Sequence, residues 1–435
     1  MQKHQIILKL PTKVILFSFW LSISQFGLAS VEVAEVTQLP KLIELSLSNS
    51  ASVAARGEGV QVAAKKIEVE KTALMPKFMV GGIDTIGLPG SGSLSDFGGF
   101  MGSPFREGWS VGLFAAETVY DFGKTSSRVE AAEKNKELSI QQRQVEQMKV
   151  SGQVLELYLA CAAASSKLDL YRLISLEANS IQKEVRNFVR TGQRSVVEDY
   201  LITAQATDFL QKKEDAKVAL EFSKKQLGQY ADLAPEKVGC ENLENLDWLT
   251  AQKVPSSEES PYIKFATSRL KLAQAELQNR HTQERPWIEI TGSAGDMENV
   301  RLVPNDSWAA AVGFVIPIWD GGKTDHQEAE ALQAVAEGEK DLAAAQQRLD
   351  AERLALDRLY ERNKVRVGYL GAENKAAKDA LHLAKERYQS YSGGLIDLRE
   401  SVRNAQYMGE QWIDAKEQWV SSSGTRVLLF GGKIQ

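Results

Sequence analysis

The chain has 435 residues, of which 25% are charged, and a formal net charge of −5 at pH 7. This mildly acidic balance excludes nucleic acid and anionic lipid surfaces as main partners, because both demand an excess of Lys and Arg. Two cysteines, Cys161 and Cys240, are too few for a disulfide framework.

Lys3, Lys9 and Lys13 precede a short apolar run from Val14 to Ile23, and Gly27-Leu28-Ala29 is a small-x-small cleavage site. Residues 1–29 therefore read as a secretory signal, which implies an exported mature protein. No Cys follows the cleavage site, so nothing suggests a lipid-anchored N-terminus. After the signal no run approaches the roughly 18–20 apolar residues of a membrane-spanning helix. Any membrane crossing must use strands closed into a barrel.

Proline placement draws the map of the mature chain. None occurs between Pro104 and Pro235, and none after Pro317. Because proline costs about 3 kcal/mol inside a helix, both stretches are open to very long helices. The first half, 30–229, begins with a helix from about Pro40 to Leu74, stopped by Pro76. A strand over 77–87, a Gly/Ser loop over 88–108 and a second strand over 110–120 come next. A helical period then runs from Lys124 to Arg190, breaks at Thr191-Gly192-Gln193, and resumes over 195–228.

An irregular segment, 230–258, links the halves and is expected to pack on the outside of the helices. It contains Cys240. Cys161 lies in an apolar helical stretch and reads as a small core residue, although an exported protein leaves a Cys161–Cys240 bond open. The second half, 259–435, repeats the order of the first. It has a helix over 260–280, strands over 287–295 and 307–319 around a loop over 296–306, a long helix over 323–390, a break at Gly393-Gly394, and a return helix over 395–429.

The repeat is most explicit at two junctions. Trp109-Ser-Val-Gly-Leu-Phe-Ala-Ala-Glu-Thr-Val-Tyr-Asp-Phe-Gly-Lys-Thr125 returns 199 residues later as Trp308-Ala-Ala-Ala-Val-Gly-Phe-Val-Ile-Pro-Ile-Trp-Asp-Gly-Gly-Lys-Thr324. Each copy reads as a strand, a tight turn and a very long helix, and such a repeat fixes the architecture. Asp121 and Asp320 are placed to cap the helices, while Gly123, Gly321 and Gly322 supply the turns. Both junctions end in Gly-Lys-Thr, but a phosphate-binding loop needs a glycine where Thr118 and Pro317 stand. The motif fails twice.

Four strands cannot close a barrel, whereas four from each of three identical chains give twelve. In the fourth strand Trp308, Ala310, Val312, Phe314, Ile316 and Ile318 share one face, with Trp308 and Trp319 at its ends. The matching face of the second strand contains Glu117, which has to sit near the edge of an apolar band. The long helices carry two modest apolar seams (Val145, Met148, Leu155, Leu159 and Ala162, for example), as suits helices with a neighbour on each side in a hollow cylinder.

With the paired junctions Thr118–Thr125 and Ile316–Thr324, and the helix breaks at Gly192 and Gly393-Gly394, the chain resembles the TolC-like outer-membrane efflux family over nearly all its mature length. The resemblance implies an α+β membrane protein and a homotrimer. Its twelve-stranded barrel in the outer membrane continues into a periplasmic α-helical barrel. It also implies a passive exit duct for a tripartite efflux pump or a type I secretion system. Such a duct works with a periplasmic adaptor and, through it, an inner-membrane transporter.

The helix tips are then the periplasmic entrance. Arg190, Thr191, Gly192, Gln193, Arg194 and Ser195 form the first tip, and Tyr391, Ser392, Gly393, Gly394 and Leu395 the second. The resemblance makes them adaptor contacts. The family's namesake has acidic residues just beyond its second turn, lining the constriction. Asp397 and Glu400 stand at comparable positions on one helix face, so three copies make a ring that favours cations. Arg399, Arg403, Glu198 and Asp199 are candidates for salt bridges that hold the entrance shut. His281, His326 and His382 lie far apart without ligand spacing, so no catalytic, cofactor or metal site is expected. The competing reading is a soluble periplasmic coiled-coil adaptor or scaffold. Adaptors usually have one helical hairpin, and this chain has two hairpins and a repeated strand pair.

Overall fold

The computed structural model describes residues 37–85, 108–297 and 306–434. The expected signal over 1–29 and nearly all of the two expected loops lie outside these residues. The chain opens with α1 (Leu39–Asn49) and α2 (Ala51–Lys71), followed by strands β1 (Lys77–Thr85) and β2 (Gly108–Tyr120). The hairpin of α3 (Lys124–Arg190) and α4 (Val196–Ala231) comes next, then the linker with its one-turn helix α5 (Asp247–Thr250). The second half supplies α6 (Pro261–His281), β3 (Trp287–Met297), β4 (Asp306–Val315), α7 (Lys323–Gln389) and α8 (Leu395–Leu429). Among the described residues no helix is long and apolar enough to cross a membrane.

The single helix expected over 40–74 is two helices. Ser50 adopts an extended backbone (ψ 116°), and its hydroxyl accepts from the Val53 amide. A serine that caps a new helix ends the old one. The break lets α1 turn its Leu39, Leu42 and Ile43 into the core formed by α3, α4 and the linker.

The four strands form one antiparallel sheet in the order β1-β2-β3-β4. Direct partners share a face, so the registers Phe78↔Ala115, Ala115↔Gly292 and Gly292↔Ala310 define one side, as do Val80↔Leu113, Leu113↔Ala294 and Ala294↔Trp308. This side is apolar and uncovered: Phe78 is 77% exposed and Trp308 80%. The other side is mixed, with Lys77, Thr118, Glu289, Thr291 and Ser293 beside Met79, Phe114 and small residues. Glu117 falls on the apolar side opposite Ile290, three residues before β2 ends at Tyr120.

The fourth strand stops at Val315, not Trp319. Its partner β3 begins at Trp287, which pairs with Val315, so residues 316–319 have no neighbour on that side. Pro317 also lacks a ladder donor.

Both α3 and α7 have 67 residues, about 100 Å of helix each. The core lies between helices. One cluster joins α1, α2, α3, α4, α8 and the linker, and another joins α3, α4, α7 and α8 toward the hairpin turns. Cys161 and Cys240 are disulfide-bonded, so Cys161 is more than a small core residue. The bond pins the linker to α3. On the opposite flank buried Lys416 of α8 pairs with Asp247, and Ser423 donates to the Leu249 carbonyl, so the linker is fastened to both halves.

Candidate functional site

Two regions draw the sequence-marked residues together: the strand–helix junctions and the hairpin turns. At the first junction, Phe122 (φ 50°) and Gly123 (φ 98°) are left-handed in succession, which reverses the chain between β2 and α3. The Asp121 carboxylate accepts from the amides of Gly123 (3.1 Å) and Thr125 (2.6 Å), capping α3 as expected. Burial pushes the Asp121 carboxyl up, but its bonds to Thr125 and Gly123 and nearby Arg128 outweigh this and hold it below the usual range.

The second junction repeats the device. Gly321 (φ 78°) and Gly322 (φ 82°) make the reversal. Asp320 accepts from the Thr324 hydroxyl (2.6 Å) and amide (3.1 Å), and the hydroxyl bond leads in keeping its carboxyl low.

The two junctions differ in their surroundings. Arg285 donates to the Phe122 carbonyl (2.8 Å), the Lys124 ammonium lies 4.2 Å from the Trp287 ring centre, and the Ser127 and Thr282 hydroxyls are 2.7 Å apart. The first junction is thereby docked on the α6–β3 connection. Nothing approaches within 4 Å of a side chain built at Gly321 or Gly322.

At the far end of the hairpins, Gly192 is left-handed (φ 71°) and the amides of Gln193 and Arg194 close on the Phe188 carbonyl. In the second turn the left-handed residue is Tyr391 (φ 60°), not Gly393 or Gly394. Adding 199 to Gly192 gives Tyr391, so the repeat offset persists from junction to tip. Gly393 serves close approach instead: a Cβ there would lie 3.1 Å from Arg387 Cβ, tighter than an ordinary contact.

A positive φ costs tyrosine conformational energy. Here the side chain is fixed, since its ring lies 5.1 Å from Phe188 and its hydroxyl donates to Gln193 (2.6 Å). Arg194 joins the tips: its guanidinium stacks over Tyr388 (4.8 Å) and Tyr391 (5.9 Å) and donates to the Gly393 carbonyl (3.1 Å).

Within one chain the four candidates for gate salt bridges have these partners. Glu198 accepts from the buried Tyr388 hydroxyl (2.8 Å), Asp199 pairs with Arg186 (3.5 Å), and Arg403 pairs with Glu400 on its own helix (3.1 Å). Arg399 donates to Gln205 (3.4 Å), whose amide returns a bond to the Arg399 carbonyl. Burial, then the Glu198 bond, pushes the Tyr388 phenol well above its usual range. Asp397 is exposed one turn from Gly394, and Leu395 is buried in the core between the hairpins. Phe188 and Tyr388 escaped sequence reasoning, and Tyr391 was placed in the second turn without its left-handed role. Carrying the 199 offset as far as the tips would have found that role.

Among the described residues no group of His, Cys, Asp and Glu could hold a metal ion. Residues 42–226, from α1 into α4, match the model of the outer membrane efflux protein family. The second half repeats the first, register for register. The match covers less than half of the chain, and the rest follows it as a structural repeat.

No curated protein matches it. Solved structures do. The open state of the MtrE outer membrane channel of Neisseria gonorrhoeae is 20% identical, with a TM-score of 0.73 over 94% of each chain. The outer membrane protein VceC of Vibrio cholerae is 14% identical, with a TM-score of 0.70 over 92% of this chain and 97% of its own. The CmeC outer membrane channel of Campylobacter jejuni is 18% identical, with a TM-score of 0.69 over 91% and 86%. At these identities the likeness establishes the fold.

That fold is the protomer of a trimeric channel, whose twelve-stranded barrel continues into a helical barrel. The protein is an outer-membrane efflux duct with a large periplasmic helical part. The matching family and the solved neighbours are channels, and the reading as a soluble adaptor is not favoured.

Proposed function

We propose that three copies form a passive exit duct, led to the periplasm by the signal over 1–29. It does no chemistry of its own and serves a tripartite efflux pump or type I secretion system. The observation that carries this reading is the four-stranded sheet with one wholly uncovered apolar face and two open edges. In water such a sheet is unstable, whereas pooled with two others and set in lipid it has no edge and no exposed face.

The hairpin turns are the periplasmic entrance. A periplasmic adaptor grips Thr191, Gly192, Gln193, Arg194, Gly393, Gly394 and Leu395 and links the duct to an inner-membrane transporter. The gate residues act as neutral and charged ties within each hairpin pair: Tyr388 to Glu198, Arg186 to Asp199, Arg399 to Gln205 and Arg194 to Gly393. Asp397 and Glu400 supply the acidic ring.

Membrane fractionation with a denaturing gel run with and without heating tests the reading. An outer-membrane oligomer that falls to a 48.1 kDa or smaller band on heating supports it. A monomer found only in the soluble periplasm would sink it.

A further inference from the structure

The Gly-Lys-Thr that ends both junctions leaves its lysines without a purpose in the turn. Lys124 and Lys323 are the first residues of α3 and α7, where the helix dipole presents its positive end and a cation costs stability. Both halves of the repeat nevertheless keep a lysine there, at the offset of 199.

The Lys124 ammonium lies 4.2 Å from the Trp287 ring centre, and Trp287 shares a sheet face with Glu289, Thr291 and Ser293. Lys77 is on that face too, since it pairs with Ala116 and Ala116 pairs with Thr291. With the apolar face in lipid, this face lines the channel. Among its described residues Glu289 is the single carboxylate, and it accepts from the Trp287 indole (3.3 Å).

Asp121 and Asp320 stand at the same level, but their oxygens are engaged by helix amides. Lys77 and Lys323 are exposed, and among the described residues neither has a carboxylate partner. Burial pushes the Lys124 ammonium below the usual lysine range, against Asp121, which favours it, and together with Arg128, which repels it.

We infer that Lys77, Lys124 and Lys323 of the copies form a cationic ring inside the duct at the strand–helix boundary, and that this ring binds multivalent anions of the phosphate class. The inference rests on the proposed duct and adds a ligand site to its wall. Three lysines meet one glutamate in each chain, so the charge of the ring is not cancelled. Low-dielectric walls focus such a field across a channel, and rings of lysine or arginine select for anions and phosphates. An ammonium is a compact charge that a phosphate oxygen can meet from many directions. The ring is opposite in sign to Asp397 and Glu400, so anions and cations are held at opposite ends of the long helices.

Single-channel recordings of the full chain, with tripolyphosphate added on the strand side of the bilayer, test the ring. Wild type is expected to show a concentration-dependent block that chloride at equal ionic strength does not give. Lys77→Gln with Lys323→Gln, which spares the Lys124–Trp287 contact, is expected to weaken the block several-fold. Lys77→Arg with Lys323→Arg is expected to keep it. Each single glutamine substitution carries the same expectation, in smaller degree, should the double variant fail to assemble. Wild-type channels that conduct without block, or glutamine variants blocked as strongly as wild type, overturn the ring and leave the duct standing. Absence of both conductance and any heat-sensitive oligomer overturns the duct itself.

Discussion

Arg194 and Gly393 occupy the same place in the two halves of the chain, 199 residues apart, and the Arg194 guanidinium donates to the Gly393 carbonyl at 3.1 Å. The repeat has diverged at this point into a clasp. One half keeps a long cationic side chain and the other keeps a glycine that leaves its carbonyl open. Tyr388 and Tyr391 wall the arginine on its ring faces. The two hairpin turns of a protomer are thereby one unit rather than two loose loops.

Gly192 tests how that unit is built. It has a positive φ and open space around its missing side chain, so Gly192→Ala meets no steric contact and reports the backbone alone. The expected loss is about 1–2 kcal/mol of local stability, read as faster amide exchange at 188–196. Unchanged exchange would show that the turn relaxes freely.

Asp121 gives the first junction a pH dependence. Its carboxyl is held below the usual range, so its stabilisation is complete above the unfolded value of about 3.9 and is lost as pH falls through the lower folded value. Acid unfolding of wild type is expected to steepen below pH ~4, and Asp121→Asn to remove that steepening. The variant is also expected to cost about 1 kcal/mol at neutral pH, as for a lost helix cap. Thermal melts across pH check both.

The Cys161–Cys240 bond closes a loop with a sequence separation of 79. The chain-entropy relation gives about 4.5 kcal/mol for a loop of that size. Cys161→Ser with Cys240→Ser is therefore expected to lower the melting temperature and to expose the linker to protease. The strands and their lipid insertion should be untouched. A melt identical to wild type would show that Lys416–Asp247 and the buried leucines suffice to hold the linker.

Asp397→Asn with Glu400→Gln removes the proposed acidic ring. Cation-over-anion permeability, from reversal potentials in asymmetric salt, is expected to fall several-fold. The Arg403–Glu400 ion pair is exposed, so little stability is lost with it. Unchanged selectivity would move the constriction away from these residues.

Much of the fold was legible in the sequence, for physical reasons. The long helices announce themselves because proline is absent from 105–234 and from 318 onward, and Asp121 and Asp320 announce the caps because a carboxylate is among the few groups that satisfy free helix amides. The split at Ser50 was hidden, because one serine with helix-forming neighbours is a weak signal. The end of β4 at Val315 was hidden too, since alternation continues to Ile318 and only the partner strand decides where pairing stops. At the tips, the resemblance pointed to Arg399, Arg403, Glu198 and Asp199, but it does not reveal that a tyrosine hydroxyl stands opposite Glu198 and a glutamine opposite Arg399. The left-handed Tyr391 ran against the expectation that glycine takes such positions.

In the proposed duct, transport is controlled at the hairpin turns, while the junctions hold the two barrels together. Single-channel conductance in planar bilayers separates these roles, comparing wild type with Arg194→Ala and with Asp121→Asn. Control at the tips predicts a several-fold rise in conductance or open time for Arg194→Ala and wild-type conductance for Asp121→Asn. Wild-type conductance for Arg194→Ala, or a change confined to Asp121→Asn, would contradict it.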